Sequence, residues 1–161
     1  MAGNNYQSKR SPKQIGDFGE KLVNYVLIRK GHEVTNADYA GADLNSIFEG
    51  KHYAISVKTR NFWKGTPESK MYTIQDKDLE HLKNYSEKSH FISLFALVIC
   101  YEDLNRIYVF ILPTDKIDEI LDKTLHGYSL NFSERHIQKL KDNKFIDFSY
   151  WENETIGNKI L

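Results

Sequence analysis

The fold of this chain is decided by residues 41–59, which read Gly-Ala-Asp-Leu-Asn-Ser-Ile-Phe-Glu-Gly-Lys-His-Tyr-Ala-Ile-Ser-Val-Lys-Thr. Polar and apolar side chains alternate on both sides of Gly50-Lys51, and this alternation predicts two antiparallel strands. Gly50 at the first loop position suits a type II′ turn. In that register Asp43 lies opposite Lys58. Cross-strand neighbours are roughly 5 Å apart, so the two side chains are predicted to share a site.

A helix is predicted just upstream of this hairpin. It begins at Ser11-Pro12-Lys13-Gln14, which combines a capping serine with a proline at the first helical position, and it ends at Gly31. Glu20 lies at the edge of the apolar stripe of this helix, so its carboxylate can reach toward the sheet. Taken alone, Glu20 also suits a solvated helix flank, and Asp43 with Lys58 also suits a surface ion pair.

The rest of the chain predicts an alternation of strands and helices. The predicted elements are strand His32–Ala37, strands 43–49 and 52–59, a loop at 60–72, a helix at 74–88 opened by Thr73, strands Phe91–Tyr101 and Arg106–Leu112, a helix from Thr114 to about Lys123, a short helix near Ser133–Lys141 and a strand near Phe145–Trp151. The strand from Phe91 is almost continuously apolar, which is typical of a strand buried on both faces.

Composition indicates one domain in a reducing compartment. The chain has 161 residues, a formal net charge of zero and a single cysteine, Cys100, which cannot form an internal disulfide. The polar first residues do not resemble a signal peptide, and the longest apolar run is too short to span a bilayer, so we expect a cytoplasmic protein that does not enter membranes. We predict a flexible basic tail over 1–12 and a single domain over 13–161, with its core at 13–112 and a C-terminal extension at 113–161.

The order helix, three strands, helix, strand, with Glu20, Asp43 and Lys58 at these positions, resembles the PD-(D/E)xK, or restriction endonuclease-like, nuclease superfamily. This group includes restriction endonucleases, archaeal Holliday-junction resolvases and repair nucleases. The resemblance implies an α/β fold with an αβββαβ core, in which a central mixed sheet is flanked by helices. It also implies that Asp43 is the central metal ligand, that Lys58 positions the attacking water, that Glu20 binds the metal through water, and that the Val57 carbonyl completes the coordination. Oxygen ligands of this kind imply Mg²⁺, with Mn²⁺ as a substitute.

Ser56 departs from the superfamily pattern, which usually has Glu, Asp or Gln at that position. Some restriction endonucleases of this group also read Ser-x-Lys and supply the acid from the following helix. Asp78 and Gln75 fall on the predicted inner face of the helix 74–88, so Asp78 is the predicted replacement ligand, and Gln75 is predicted to align the site. Asp78 also suits the first turn of any helix, where the helix dipole favours an acid. Glu68 is a weaker substitute.

Basic and aromatic side chains predict contacts with DNA. The predicted nucleic-acid-binding residues are Arg60, Asn61, Trp63 and Lys64 after the catalytic strand, and Lys9 and Arg10 in the tail. These stretches also suit ordinary solvated loops. Because cutting two strands needs two sites, the resemblance implies a homodimer, for which the aromatic C-terminal third offers an interface.

The sequence therefore predicts a Mg²⁺-dependent endodeoxyribonuclease of the restriction, resolvase or repair type. Two other interpretations stay open. Ser56 is compatible with a catalytically silent protein that binds nucleic acid through the same surface, and the zero net charge is compatible with a protein-interaction module.

Overall fold

The computed structural model describes residues 12–39, 41–62, 71–101 and 106–152, apart from the side chains of residues 38 and 39. The helices are α1 (Pro12–Arg29), α2 (Asp76–Ser89), α3 (Ile117–Ile120) and α4 (Glu134–Lys141), and a 3₁₀ turn covers Thr114–Lys116. The strands are β1 (Glu33–Tyr39), β2 (Ala42–Phe48), β3 (Lys51–Phe62), β4 (Met71–Gln75), β5 (Ile92–Tyr101), β6 (Arg106–Pro113), β7 (Asp122–Thr124), β8 (Gly127–Asn131) and β9 (Asp147–Glu152).

Six strands form a central mixed sheet in the order β1-β2-β3-β5-β6-β9. Only the β3–β5 pairing in this sheet is parallel, and its connection passes through β4 and α2. A second, three-stranded antiparallel sheet has the order β4-β8-β7. The predicted α/β class and its helix, three strands, helix, strand core are confirmed, with β4 as an additional strand in front of α2.

The central sheet buries apolar side chains on both faces. Successive residues of a strand point to opposite faces, so β5 contributes Ala96 and Val98 to one cluster and Phe95 and Leu97 to the other. On one face the sheet packs against α1, which contributes Val23, Val26 and Leu27 to the cluster there. On the α2 face it packs against α2, the small sheet and α4, where the larger of the two clusters lies. No helix among the described residues is long and apolar enough to cross a membrane.

The β2–β3 hairpin differs from the predicted register by two residues. Phe48 pairs with Lys51 and Leu44 with Ile55, so the loop is Glu49-Gly50. Both loop residues have positive φ, 49° and 74°, which is the requirement of a type I′ turn. The predicted pairing of Asp43 with Lys58 is therefore wrong, because the turn lies one residue earlier in the chain than expected. A shift of two residues keeps each side chain on its predicted face.

Three other boundaries also need correction. The stretch 60–62 continues β3 instead of opening a loop, and α2 begins at Asp76, so Gln75 ends the strand β4 and is not helical. The helix predicted from Thr114 to Lys123 stops at Ile120 and is followed by β7. The cause is the same at β4 and β7, since each pairs with β8 to build the small sheet and tertiary pairing overrides local helical preference.

Candidate active site

The site lies at the end of the β2–β3 pair that is remote from the turn. The ladder ends at the pair Leu44–Ile55, and the next residue of β2, Asp43, inserts its carboxylate in place of backbone pairing. Asp43 Oδ2 accepts a 2.6 Å hydrogen bond from the Val57 N–H and a 3.3 Å hydrogen bond from the Ser56 hydroxyl. Ser56, which is buried, therefore takes the place across from Asp43 that was predicted for Lys58.

The Val57 backbone is oriented toward the same gap. The N–H and C=O groups of one residue point to the same side of a strand, and the Val57 N–H points at Asp43. The Val57 carbonyl therefore faces the opening between β2 and β3, beside the Asp43 carboxylate. By this strand geometry, the Val57 carbonyl and the Asp43 carboxylate lie on the same side of β3.

Glu20 reaches this region because α1 lies unusually close to β3. A Cβ atom added at Gly19 would overlap the Thr59 hydroxyl, so only glycine permits this approach. The next residue along α1 is Glu20, which is thereby fixed beside the end of the hairpin. Neither Gly19 nor Thr59 was predicted as part of the site, and a glycine inside an amphipathic helix is the signal that could have identified the contact.

The pKa of Glu20 responds to the charges of the acids around it. Burial raises the pKa of the Glu20 carboxyl above its ordinary value, and the negative charges of Asp43 and Asp17 raise it further. The positive charges of Lys21 and Lys58 act in the opposite direction. Glu20 is therefore within electrostatic range of Asp43 and Lys58, and the folded protein holds acids together at a cost that a cation would relieve.

Lys58 faces Asp78 across the groove beside this gap. Lys58 Nζ lies 4.0 Å from Asp78 Oδ1, and the two side chains are 30% and 25% exposed. Asp78 belongs to the first turn of α2 and points toward the sheet, as predicted. The structure thus brings Asp78 to Lys58, one strand position beyond the contact between Asp43 and Val57.

A polar groove of about 540 Å³ opens around Lys58. Its lining consists of Lys58, Arg60, Met71, Tyr72, Thr73, Gln75, Lys77 and Asp78. The Arg60 guanidinium lies 4.4 Å from the centre of the Tyr72 ring, at cation–π distance. Tyr72 and Lys77 were not predicted as site residues. The alternation of Tyr72 and Ile74 with Thr73 and Gln75 is a short strand signal that could have placed Tyr72 at the groove.

The other predicted site residues do not all lie where the sequence predicts them. Gln75 lines the groove from the end of β4, exposed and ahead of α2, so its role differs from that of a helical glutamine. Asn61 belongs to β3 and alternates with Arg60, so it points to the α1 face and away from the groove. The remaining predictions, Trp63, Lys64, Glu68, Lys9 and Arg10, lie outside the described residues.

The chemistry of the donor set fits a magnesium ion better than a softer metal. Among the described residues no three His, Cys, Asp or Glu side chains form a metal-binding group. Mg²⁺ retains several waters and is commonly held through one or two carboxylates, so Asp43, Glu20 and the Val57 carbonyl are compatible with it. Zinc prefers histidine and cysteine ligands, which none of these residues supplies.

Several solved structures are similar to this chain, among them one archaeal and one bacterial protein. One is Hjc of Archaeoglobus fulgidus, a Holliday junction resolvase from an archaeal hyperthermophile, with 16% identity, coverage of 75% of this chain and 85% of that chain, and a TM-score of 0.54. The other is a bacterial homing endonuclease, I-Ssp6803I, with 18% identity, coverage of 77% and 79%, and a TM-score of 0.46. No family model and no curated protein matches the sequence. The chain therefore has the restriction endonuclease-like fold that its sequence predicts.

Proposed function

We propose that this protein is a divalent-metal-dependent endonuclease that hydrolyses phosphodiester bonds of DNA. The observation that carries the proposal is the end of the β2–β3 ladder, where the Asp43 carboxylate is fixed by the Val57 N–H beside Lys58. The protein Hjc, which has a similar fold, is by its name a Holliday junction resolvase, and this supports activity on DNA here.

In the proposed site, Asp43 and the Val57 carbonyl would hold the cation, and Glu20 would bind it through water. When bound, Mg²⁺ polarises the phosphate and lowers the pKa of a water molecule. Asp43 is suited to its role because its Oδ2 atom is anchored by two hydrogen bonds, so the carboxylate orientation is set before a ligand arrives.

Lys58 is the proposed group that orients the attacking water, and Asp78 is the proposed substitute for the acid absent at Ser56. The 4.0 Å separation of Lys58 Nζ and Asp78 Oδ1 supports a joint action of the two residues. An acid within this distance pairs with the lysine ammonium and restrains its side chain. Ser56 contributes a hydrogen bond to Asp43 and supplies no charge.

The groove around Lys58 is the proposed DNA surface. Arg60 and Lys77 line it and carry positive charge suited to phosphate groups. Trp63, Lys64 and the basic tail remain proposed contributors, as does a homodimer that would present two sites to two strands. We propose Mg²⁺ as the physiological ion and Mn²⁺ as its substitute.

A catalytically silent DNA-binding protein is the second candidate. It is favoured by one observation, the buried neutral Ser56 at the position opposite Asp43. Among the described residues, no three His, Cys, Asp or Glu side chains form a metal-binding group. The two candidates share a DNA surface and differ in whether the chain cuts.

The deciding experiment is a cleavage assay on linear, branched and single-stranded DNA with Mg²⁺, Mn²⁺ or neither. The variant Asp43→Asn keeps a side-chain oxygen for the Val57 N–H while removing the charge, so it should fold and lose cleavage by at least ~100-fold. The matched control is Asp115→Asn, which neutralises an exposed acid between β6 and α3. If the wild type binds DNA but cuts none of these substrates with either metal, the silent interpretation replaces the nuclease.

A further inference from the structure

We propose that a second pocket, on the α2 face beyond the groove, binds one unpaired nucleobase of the DNA substrate. The pocket measures about 270 Å³ and is lined by Tyr101, Arg106, Tyr108, Phe132, Glu134, Ile137, Gln138 and Lys141. We call it the aromatic pocket. This inference rests on the proposed function, since it assigns a substrate class to the same enzyme: DNA with unpaired nucleotides near the cut.

The walls of the aromatic pocket are rings held in place by one another. Tyr101 stacks on Phe62 at 5.5 Å between ring centres and meets Tyr108 edge-to-face at 5.5 Å. The Tyr101 hydroxyl donates a 3.0 Å hydrogen bond to the Phe132 carbonyl. Burial raises the pKa of Tyr101, so its hydroxyl keeps its proton at physiological pH. A rigid aromatic wall of this kind is what base stacking requires.

Lys141 closes one side of the pocket. Its Nζ atom lies 5.0 Å from the Tyr108 and Phe148 ring centres and 5.3 Å from that of Tyr150. The side chain of Lys141, at the end of α4, therefore lies across three rings of β6 and β9 instead of extending into water. A flat ligand that enters between Tyr101 and Lys141 would be enclosed from two sides.

The charges at the rim balance, and this favours a base over a phosphate. Arg106 is paired with Glu152 at 2.6 Å, and Glu134 lies close enough to raise the pKa of Tyr101 through its charge. The lining therefore combines an ammonium, a guanidinium, a carboxylate and an amide, from Lys141, Arg106, Glu134 and Gln138. A phosphate site would carry excess positive charge, whereas donors and acceptors in equal measure match the edge of a base. The volume lies just below the ~300–1,000 Å³ of small-molecule sites, which suits a single base.

The aromatic pocket is connected to the groove along one strand. Lys58, Arg60 and Phe62 are alternate residues of β3 and point to the same face. From Lys58 to Phe62 is a distance of roughly 13 Å along the strand. Arg60, which packs on the Tyr72 ring, lies midway between them. The Phe62 ring stacks on Tyr101, which lines the pocket. Basic and aromatic groups thus follow each other from Lys58 to the pocket, as in channels that hold single strands.

The test compares two DNAs on the full chain without divalent metal, so that no cleavage intervenes. One is a duplex with a short single-stranded overhang containing 2-aminopurine, and the other is the same duplex with blunt ends. We expect the wild type to bind the overhang DNA roughly tenfold more tightly, the scale of one base stacked on an aromatic ring, and to change the 2-aminopurine fluorescence.

Variants of the pocket should remove this preference. Tyr101→Ala removes the ring and should bind both DNAs alike, whereas Tyr101→Phe keeps the ring and should retain most of the preference. Lys141→Ala should also lose it, and Lys139→Ala is the matched control, since Lys139 is an exposed lysine on the same helix that does not line the pocket. Thermal unfolding checks that each variant is folded. Equal binding of the two DNAs by the wild type, or a preference that survives both Tyr101→Ala and Lys141→Ala, overturns the inference.

Two further arms separate this inference from its alternatives. A free nucleoside monophosphate at millimolar concentration is tested as a competitor. If it binds in a Tyr101-dependent way while the overhang gives no advantage, the pocket serves a small nucleotide and the DNA assignment is overturned. If the wild type cleaves overhang and blunt-ended DNA equally well with Mg²⁺, this inference is wrong and the proposed function stands. An overhang preference without any cleavage supports the pocket and removes the nuclease.

Discussion

The two ends of the β2–β3 pair differ in how completely their polar groups are satisfied. At the turn end, His32 stacks on Phe48 at 4.6 Å, and its Nδ1 atom lies 3.0 Å from the Ser46 hydroxyl. At the open end, the ladder stops and the Asp43 carboxylate takes over the Val57 N–H. The turn end is built from stacked rings and paired backbone, and the open end from acids and a lysine.

The open end also holds unsatisfied polar atoms. Within the described residues, the buried side-chain oxygens without a hydrogen-bond partner are those of Asn24, Asn45 and Thr59. Two of these three belong to β2 and β3 near Asp43, and such atoms are rare in folded proteins because each costs free energy. The difference between the ends teaches that the fold pairs the polar groups of this hairpin at its turn and gathers acids and a lysine where the site lies.

The largest expected effect separates two lysines of the same strand. Lys51 begins β3 at the turn, and Lys58 lies at the open end. Lys58→Ala should lower the single-turnover cleavage rate with Mg²⁺ by ~10³-fold, because a group that orients or protonates reacting atoms contributes 10²–10⁴-fold. DNA affinity should change little. Lys51→Ala should cleave like the wild type, and similar losses in both variants would mean that strand β3 contributes bulk charge instead of a reacting group.

The next effect concerns the acid that replaces Ser56. Asp78→Asn should lower cleavage by at least ~100-fold, since it removes a charged group beside the reacting phosphate. Ser56→Ala should remain near normal, because Ser56 donates only a 3.3 Å hydrogen bond to Asp43. Ser56→Glu combined with Asp78→Asn should restore part of the activity.

The matched control for Asp78 is Asp76→Asn in the same helical turn. Asp76 is exposed and pairs with Lys123 at 2.6 Å, outside the groove. If both variants lose the same activity, the effect comes from the helix terminus and not from the site. Normal cleavage by Asp78→Asn would mean that Asp78 does not replace the acid absent at Ser56. Glu68 would then be the next candidate.

These residues also show what the sequence could predict. The position of Asp78 on the inner side of α2 followed from helical periodicity, and the faces of Asp43 and Ser56 followed from strand alternation. The pairing register of β2 and β3 could not be predicted in this way. It depends on a turn in which Glu49 adopts positive φ, and glutamate is not among the residues that favour that conformation. Local alternation fixes the face of a side chain, and turn geometry fixes its partner.

The small sheet was not predicted for a different reason. β4 and β7 have five and three residues, and both pair with β8, which in the case of β4 is more than 50 residues away in sequence. Short strands that depend on distant partners leave little local signal. As a result, Gln75 was assigned to a helix although it pairs with Gly127 in β4.

A smaller effect, on stability, tests how α1 is held at the open end. Gly19→Ala should lower the free energy of unfolding by about 1–3 kcal/mol, the cost of overpacking, because its Cβ would overlap the Thr59 hydroxyl. Gly16→Ala is the matched control, since a Cβ there meets nothing within 4 Å. The control should gain up to about 1 kcal/mol from better helix propensity. Urea unfolding measures both, and equal shifts in the two variants would contradict a close contact between α1 and β3.

The smallest expected effect concerns the charge of Glu20 and depends on pH. Burial and Asp43 raise the Glu20 pKa, so the folded state disfavours its ionised form. A carboxyl with a raised pKa stabilises the fold below its unfolded pKa of about 4.3, and that contribution is lost as pH rises through the higher folded value. Glu20→Gln has no charge to lose, so above this window it should be slightly more stable than the wild type, by less than about 1 kcal/mol because water screens the exposed part of the side chain.

The gain from Glu20→Gln should vanish below about pH 4, where the wild-type carboxyl is protonated in both states. Thermal unfolding from pH 3.5 to 8 measures this, and Glu33→Gln on the exposed edge strand β1 removes the same charge as a matched control. Added Mg²⁺ at pH 7.5 should stabilise the wild type more than Glu20→Gln, because a cation relieves the repulsion between Glu20 and Asp43. A variant that is equally stable at every pH, with or without Mg²⁺, would mean that Glu20 and Asp43 do not share a site, and the comparison between the two ends of the hairpin would then rest on Asp43 and Lys58 alone.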